Sequence, residues 1–436
     1  MLKNLLRNKI LLLFLILLTT SIFAQGTLDN LSIHGFVSRG YLKTTNNNYL
    51  LADSKDGSLE YGEATLSFMA MPSSKLGIGA QLYARDFGSD DNFFVIIDWA
   101  YGDYRWYDYL GFRVGRFKNA TSLYSKIRDI DITRVPILLP QSVYDESGRD
   151  LALAIDGVGL YGRIPVSGLG DFEYEASYGG YNIFNQRSKL FTEQYYTISS
   201  DIAAGMSGIP GIISANSIGE SNAKAKVEDV MVVNLTWHTP LQGFKTGFSY
   251  NTSKFKWAFE SNIQMLFPSP DPTNPTPVEV VQTIPVLGDF DIGTKTFFGE
   301  WQFNKFTLAG EYRKYVIEGI TTMDITESDI RIPRESYYGM GAYQFNSWFA
   351  LSGYYSVFYS NSDDKDGDLL VAAGKPDYYA WQKDLCFTAR FDLTQNWIFK
   401  MEYHAINGAG QLSQDFNADG FEKDMGLFIL KSTFHF

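Results

Sequence analysis

The sequence predicts an all-β protein, a transmembrane antiparallel β-barrel of about 16 strands. Three observations predict this class. Residues 425–436 alternate apolar and polar side chains and end on Phe436, aromatic residues make up 16% of the chain, and short and long connections alternate along it. A period of two is typical of a β-strand. In a transmembrane barrel the apolar face meets lipid and the polar face meets a water-filled interior, whereas residues 425–436 alone could also form an edge strand of a soluble sandwich.

Residues 1–24 have the pattern of a cleaved export signal. Lys3, Arg7 and Lys9 precede the apolar run 10–18, which is too short to span a bilayer, and Ala24 suits cleavage before Gln25. No long apolar run follows, which excludes a helical membrane protein. We therefore expect a signal peptide at 1–24 and one outer-membrane barrel domain at 25–436.

Charge and cysteine content exclude two classes. The signal holds three of the 37 basic residues and no acidic one, so the rest of the chain carries 34 Lys and Arg against 49 Asp and Glu, a net charge of −15. That balance argues against a nucleic-acid partner. Cys386 is the single cysteine, so an internal disulfide framework is excluded.

The connections sort by length. After a first strand at 31–43, segments 58–71 and 75–86 form a hairpin through Pro72–Ser74, and 93–104 pairs with 110–118. Later turns are as short, at 240–243, 304–305, 346–347 and 394–396. Between the hairpins lie the short stretch 87–92 and the long polar stretches 44–57, 119–150, 183–226, 267–290, 319–335, 361–380 and 408–424. This one-sided pattern is typical of outer-membrane barrels with short periplasmic turns, although 255–266 and 278–290 leave room for another hairpin.

Strand parity assigns side chains to the two faces. In 382–392, Leu385 and Phe387 fall on the lipid face, while Asp384, Cys386 and Thr388 fall on the interior face. Charged side chains in a barrel interior either pair with one another or form a field that selects solutes. The pore-lining candidates by parity are Arg85, Asp98, Arg113, Arg313, Asp384, Arg390, Lys400, Glu402 and Lys431.

The stretch 119–150 differs from the other long connections. It contains seven aliphatic residues from Ile127 to Leu139, prolines at 136 and 140, and charges of both signs. A loop this apolar should be packed against other parts of the protein rather than exposed to water.

In its export signal, terminal Phe436, loop alternation and third long loop, the chain resembles the Gram-negative outer-membrane porins, a family of sixteen-stranded barrels. The resemblance implies that 119–150 folds into the lumen and narrows a path for passive diffusion of small hydrophilic solutes or ions. It also implies a homotrimer, contact with outer-membrane lipid and lipopolysaccharide, and recognition of the last strand by the barrel assembly machinery. The candidates for the constriction are Lys126, Arg128, Asp129, Asp131 and Arg134. Their mixed signs depart from the acidic loop common in the family and leave ion preference open.

Two other classes stay open. An outer-membrane enzyme needs a histidine beside a nucleophile or an acid, and His404 next to the inward Glu402 is the best case among four histidines. Without a nucleophile motif or paired-histidine metal spacing, the sequence predicts no enzyme. A structural or adhesive barrel, using the loop 183–226, is the other alternative.

A last motif concerns metal binding. Asp415, Asn417, Asp419 and Gly420 match the first half of a calcium-binding loop, but its twelfth position is Gly426 instead of glutamate. A plain polar turn explains the same residues. We therefore expect no cofactor, with a structural calcium ion as the alternative.

Overall fold

The computed structural model describes residues 30–88, 93–149, 153–183, 189–271 and 273–436. The predicted signal peptide, 1–24, lies outside the described residues. Within them, sixteen antiparallel strands form one closed barrel, as predicted, without an extra hairpin in 255–290. The strands are β1 Leu31–Thr44, β2 Ser58–Ala70, β3 Leu76–Phe87, β4 Ile96–Tyr107, β5 Leu110–Lys118, β6 Ala154–Val166, β7 Gly170–Ile183, β8 Ser214–His238, β9 Phe244–Phe267, β10 Val278–Phe303, β11 Phe306–Met323, β12 Thr326–Asn346, β13 Phe349–Tyr359, β14 Trp381–Thr394, β15 Trp397–Asn407 and β16 Asp424–His435.

The helices of the described residues lie in the connections between strands. Helix α1 spans Lys189–Ser207 and the short helix α2 spans Asp368–Ala372, with 3₁₀ turns at Asp131–Thr133 and Asp377–Ala380. Among the described residues, we find no helix with the length and apolar character needed to cross a membrane.

The two ends of the barrel differ as the sequence predicts. Seven turns of two to five residues lie at the end where β1 begins and β16 ends, here called the terminal end. The other connections lie at the opposite end, the loop end. Three predicted loops are wrong in extent: β8 begins at Ser214, β10 begins at Val278, and only Asp324 and Ile325 separate β11 from β12. The polar residues of these stretches led to the prediction of loops. In the strands, however, the polar residues lie on one face and apolar residues lie on the other.

The last strand closes the barrel. β16 pairs with β1 from Phe36–His435 to Thr44–Leu427. Two backbone hydrogen bonds join Phe436 to Gly35: Phe436 N donates to Gly35 O at 3.1 Å, and Gly35 N donates to Phe436 O at 3.2 Å. A Cβ on Gly35 would lie 2.7 Å from Thr65 O and 3.0 Å from the Phe436 ring, so the closing seam requires glycine at this position.

The outer surface of the barrel is apolar. In β14, Leu385 and Phe387 point outward and are exposed, while the alternate residues Cys386 and Thr388 point inward and are buried, as parity predicts. Aromatic pairs ring the terminal end, including Trp106–Tyr107, Phe172–Trp237, Trp301–Phe303, Trp348–Phe349 and Trp397–Phe434. An apolar outer face with an aromatic girdle is the surface that a lipid bilayer requires.

The alternation inverts in the outer halves of β8–β12. Near the terminal end of β10, Phe297 points outward and Thr296 inward; nearer the loop end, Asp289 points outward and Phe290 inward. β9 repeats the inversion, with Lys256 outside and Trp257 inside. α1 packs on β8 and β9, with the Tyr195 and Phe259 ring centroids 4.5 Å apart. These five strands therefore extend past the apolar belt and enclose an apolar interior behind a charged outer surface.

Candidate functional site

The segment 119–149, called the inner segment, lies inside the barrel and bonds to side chains on several walls. At the seam wall, the backbone N–H groups of Ile137 and Leu138 donate to the two carboxylate oxygens of Glu402 at 2.6 and 2.9 Å. Lys400 Nζ donates to Asp131 O at 2.8 Å and to its Oδ1 at 3.0 Å. Because these contacts are buried, they fix the segment to β15.

Apolar packing supports the same wall. Ile137 and Leu138 are in one buried cluster with Leu42, Leu427 and Ile429. Leu427 and Ile429 point inward from β16, where the sequence predicts a wet lumen. The inner segment covers them, so this part of the interior is a dry core.

The opposite wall holds the other side of the inner segment. Tyr124 Oη donates to Glu300 at 2.7 Å, and Leu123 N donates to Glu311 at 3.0 Å. Tyr144 Oη also donates to Glu311, and Arg313 donates to Val143 O at 2.6 Å. Contacts from β10 and β11 on one side to β15 and β16 on the other mean that the segment crosses the lumen.

A third set of contacts fixes the ends of the inner segment. Asp129 accepts from Lys118 Nζ at 2.7 Å and from Arg149 Nε at 2.8 Å. Arg149 also donates to Asp98 at 3.1 Å, and its guanidinium lies 4.2 Å from the Tyr83 ring centroid. Burial raises the pKa of Asp129, but Arg149 and Lys118 outweigh burial and hold that pKa below its usual range.

The five predicted constriction residues belong to this network. Arg128, Asp129 and Asp131 are buried, and Arg134 is half-buried. Arg128 donates to Tyr144 O and to Glu146 at 2.9 Å, and Arg134 donates to Ile137 O at 2.9 Å. Asp131 is fully buried, and the cations Lys400 and Lys431 keep its pKa low against the effect of burial. Lys126, paired with Glu175, keeps 41% of its side chain exposed. These charges thus mainly hold the segment instead of facing open solvent.

The nine predicted pore-lining residues all project into the barrel, and most are paired. Arg113 contacts Asp103 at 3.2 Å and Glu175 at 3.1 Å. Arg390 contacts Asp392 at 2.7 Å and donates to Ile132 O at 2.8 Å. The remaining contacts are Arg85 with Glu146, Asp98 with Lys118 and Arg149, Arg313 with Val143 O, Asp384 with His404, Lys400 with Asp131, Glu402 with Leu138 and Lys431 with Glu63.

Cavities lie on both sides of the inner segment. The upper cavity, toward the loop end, has a volume of about 1430 Å³ and is lined by the inner segment, the outer halves of β8–β12 and α1. The lower cavity, of about 580 Å³, is lined by Thr133, Arg134, Arg390 and turn residues such as Lys305 and Asn346. The turn residues place the lower cavity at the terminal end.

The potential metal-ligand atoms of Cys386, Glu402 and His404 lie within 4.8 Å of one another. Among the described residues, no other group of three such side chains is as close. His404 Nδ1 is 3.0 Å from Asp384, its Nε2 is 3.0 Å from Glu402, and Cys386 Sγ is 3.9 Å from the same Nε2. This resembles a nucleophile, base and orienting acid. Cys386 is fully buried, however, and Glu402 already accepts from two backbone N–H groups of the inner segment. The cluster therefore fits a closed structural network better than a reactive or metal site.

The predicted calcium residues lie in the β15–β16 loop. Asn417 Oδ1 accepts from Asn48 N at 2.8 Å, and its Nδ2 donates to Asn48 O and Ser413 O at 3.0 Å. Asp415 and Asp419 are exposed. The Asn417 side chain therefore joins two loops, and calcium binding stays a prediction.

Sequence reasoning missed several groups that hold the inner segment. Lys118, Arg149 and Glu300 were not among the candidates, although each makes buried ion pairs or hydrogen bonds. Strand parity could have found Glu300, which shares the inward face of β10 with Thr296. Arg149 lies in a connection, where no periodicity assigns a direction.

Comparison with known proteins supports the fold. No protein-family model and no curated protein matches the sequence. Among solved structures, OmpF of Salmonella typhi in complex with daunomycin is 14% identical, with a TM-score of 0.55 over 93% of this chain and 98% of that one. OmpT, an outer membrane protein of Vibrio cholerae, is 8% identical, with a TM-score of 0.51 over 93% of this chain and 97% of that one. The trimer form of OmpT is 9% identical, with a TM-score of 0.51 over 93% of this chain and 99% of that one. The chain has the sixteen-stranded barrel fold of outer-membrane porins.

Proposed function

We propose that the protein is an outer-membrane channel through which small hydrophilic solutes or ions diffuse, with the inner segment narrowing the path. The observation that carries this proposal is the inner segment itself, which crosses the barrel between opposite walls and has a cavity on each side. The apolar outer face and aromatic girdle support placement in a bilayer. The terminal end would then face the periplasm and the loop end the outside.

The charged interior favours hydrophilic solutes. Paired groups such as Arg113 with Glu175 and Arg390 with Asp392 offer hydrogen-bonding partners to water and to polar solutes. Because opposite charges cancel locally, we expect weak ion preference that depends on the few exposed charges near the inner segment. A homotrimer, lipopolysaccharide contacts and recognition of β16 by the assembly machinery are part of the proposal; the trimer form of OmpT is a parallel for the first.

Conductance of the purified, folded protein in a planar bilayer tests the proposal. Stepwise ohmic openings are the expected result, and a folded barrel that conducts no ions would contradict it. Removal of Ile130–Leu139 should raise single-channel conductance, because this stretch carries the contacts to Lys400 and Glu402. Unchanged conductance in a folded deletion variant would place the path elsewhere.

Ion preference offers a second, finer test. The Lys126 side chain is 41% exposed, whereas Arg128 is buried and the half-buried Arg134 donates to Ile137 O, so reversal of either arginine would also disturb packing. Lys126→Gln should shift the reversal potential in a salt gradient toward cation preference. Lys365→Gln is a matched control, since this lysine of the β13–β14 loop is 39% exposed and also pairs with a glutamate. Its effect should be smaller and should vanish first at high salt.

A further inference from the structure

The upper cavity has an apolar wall, which is unusual for the entrance of a path for hydrophilic solutes. The wall is formed by the inward faces of the outer halves of β9–β12. Side chains that line it include Phe255, Trp257, Phe290, Ile292, Ile317 and Ile330. The outward faces of the same strands carry Lys256, Asp289 and Arg331, so these strands lie in water and shield an apolar interior. A concave apolar cavity of this size suits an apolar molecular body.

A cation without an anionic partner faces this cavity. Among the described residues, the Arg334 side chain makes no hydrogen bond or salt bridge, and its Nε is buried without a partner. Its guanidinium lies 5.8 Å from the Tyr315 ring centroid and 5.9 Å from that of Phe358. Removing a charge from water without pairing it is costly, so the position favours an anion supplied from the cavity.

A second arginine lies beside it. Arg313 donates to two neutral oxygens, Thr296 Oγ1 at 3.3 Å and Val143 O at 2.6 Å, and within the described ranges no carboxylate oxygen lies within 4 Å of it. Tyr315 pairs with Arg334 across β11 and β12, and Arg313 is two residues from Tyr315 on the same inward face. Arg313 and Arg334 are thus diagonal neighbours on adjacent strands, and both line the upper cavity.

The acidic residues of the cavity do not neutralise this pair. The acidic residues that line the cavity are Asp145, Glu146, Asp201 and Asp324. None of these four carboxylates lies within 4 Å of the guanidinium nitrogens of Arg313 or Arg334, and Glu146 pairs with Arg128 instead. Asp145 instead accepts a hydrogen bond from Ser147 N at 2.9 Å. Guanidinium groups bind carboxylates in a planar, two-point geometry, which a pair of arginines beside an aromatic ring supports.

We propose that the upper cavity binds organic monocarboxylates with an aryl or alkyl body, the carboxylate at Arg334 and Arg313 and the body against the apolar wall. This inference rests on the proposed function in that it names the class of solute admitted at the outer mouth of that channel. Binding itself needs no ion flow, so it can be measured separately.

Calorimetric titration of the full-length protein in lipid nanodiscs tests the inference with three probes. 4-Phenylbutyrate has both the apolar body and the carboxylate, 4-phenylbutylamine has the body with the opposite charge, and butyrate has the carboxylate without the ring. Phenylbutyrate should bind at least about tenfold more tightly than either of the other two, a difference of about 1.4 kcal/mol. Equal affinity for the amine, or for butyrate, would overturn the assignment.

Two pairs of matched variants locate the site. Arg334→Gln should weaken phenylbutyrate binding about tenfold or more, while Arg331→Gln, which removes the same charge from the outer face of the same strand, should not. Ile317→Asn should weaken phenylbutyrate but not butyrate, and Ile320→Asn, exposed on the outside of β11, should change neither. Equal losses from the inner and outer variants would refute the site.

The outcomes separate this inference from the proposed function. If the parent protein conducts ions but does not bind phenylbutyrate, the inference fails and the channel stands. If it binds phenylbutyrate through Arg334 and does not conduct, the inference stands and the channel fails. Retained heat-modifiability of each variant shows that the barrel is folded.

Discussion

Asp131→Asn tests whether the inner segment is held across the lumen by its buried charges. Asp131 is fully buried, and its Oδ1 lies 3.0 Å from Lys400 Nζ and 3.5 Å from Lys431 Nζ. Its Oδ2 accepts from Thr433 at 2.8 Å. The substitution keeps the shape of the side chain and removes its charge, which leaves two buried ammonium groups with one fewer counter-charge.

The expected magnitude follows from that geometry. Removal of one partner from a buried ion pair costs about 3–5 kcal/mol. Lys431 keeps Glu63 and Lys400 keeps two backbone carbonyls, so the lower part of this range applies. If the cost falls on docking of the segment, even about 3 kcal/mol changes the docking equilibrium roughly 150-fold. The segment should then leave the seam wall for a measurable fraction of the time.

Single-channel recording measures that fraction as time spent at a higher conductance level. Asp171→Asn is the control, because Asp171 pairs with Arg163 at the surface, where ion pairs contribute about 0–1 kcal/mol. The double variant Asp131→Asn/Lys400→Met removes both charges and should recover much of the parent behaviour. An Asp131→Asn protein with the conductance and unfolding midpoint of the parent would refute the view that these charges hold the segment.

Three further predictions concern facing, closure and metal. Phe387→Arg should lower the free energy of unfolding by about 2–4 kcal/mol in urea titration if Phe387 lies near the middle of the bilayer, whereas Ser253→Arg, which faces the upper cavity, should have little effect. Deletion of Phe436 should reduce the yield of heat-modifiable barrel, because its backbone completes the seam with Gly35; a normal yield, as expected for His435→Gln, would count against this. Chelation with EDTA should leave the unfolding midpoint unchanged, because Asn417 is held by Asn48 and Ser413; a drop that Ca²⁺ reverses would instead assign a calcium site.

The sequence was enough for the barrel and for the facing of strands such as β14 and β15, whereas the first strand was ambiguous because Ile33 and Val37 share a face with Arg39. Period-two alternation is a local property, so the outward Phe387 and the inward Glu402 could both be assigned without a structure. The partners of the inward charges could not be assigned. Lys400 and Asp131 are 269 residues apart, and a connection such as 119–150 has no periodicity that would orient Asp131 toward β15. The apolar residues of 119–150 were enough to predict that it packs against other parts of the protein, but not which residues it contacts.

The three misjudged loops share one physical cause, and it also explains the upper cavity. A transmembrane strand is apolar outside and polar inside, while a strand in water that encloses a core is the reverse. β8–β12 pass from the first environment to the second, so their period-two pattern continues while its polarity changes sign: Phe297 and Asp289 of β10 face outward alike. A strand prediction that requires the apolar residues to stay on one face therefore ends such strands where the apolar face switches sides, and it assigns the remainder to loops. A search for alternation irrespective of sign would have extended β10 to Val278 and marked the sign change as the boundary of the apolar belt. The apolar wall of the upper cavity is then a direct consequence of strands that leave the bilayer without ending.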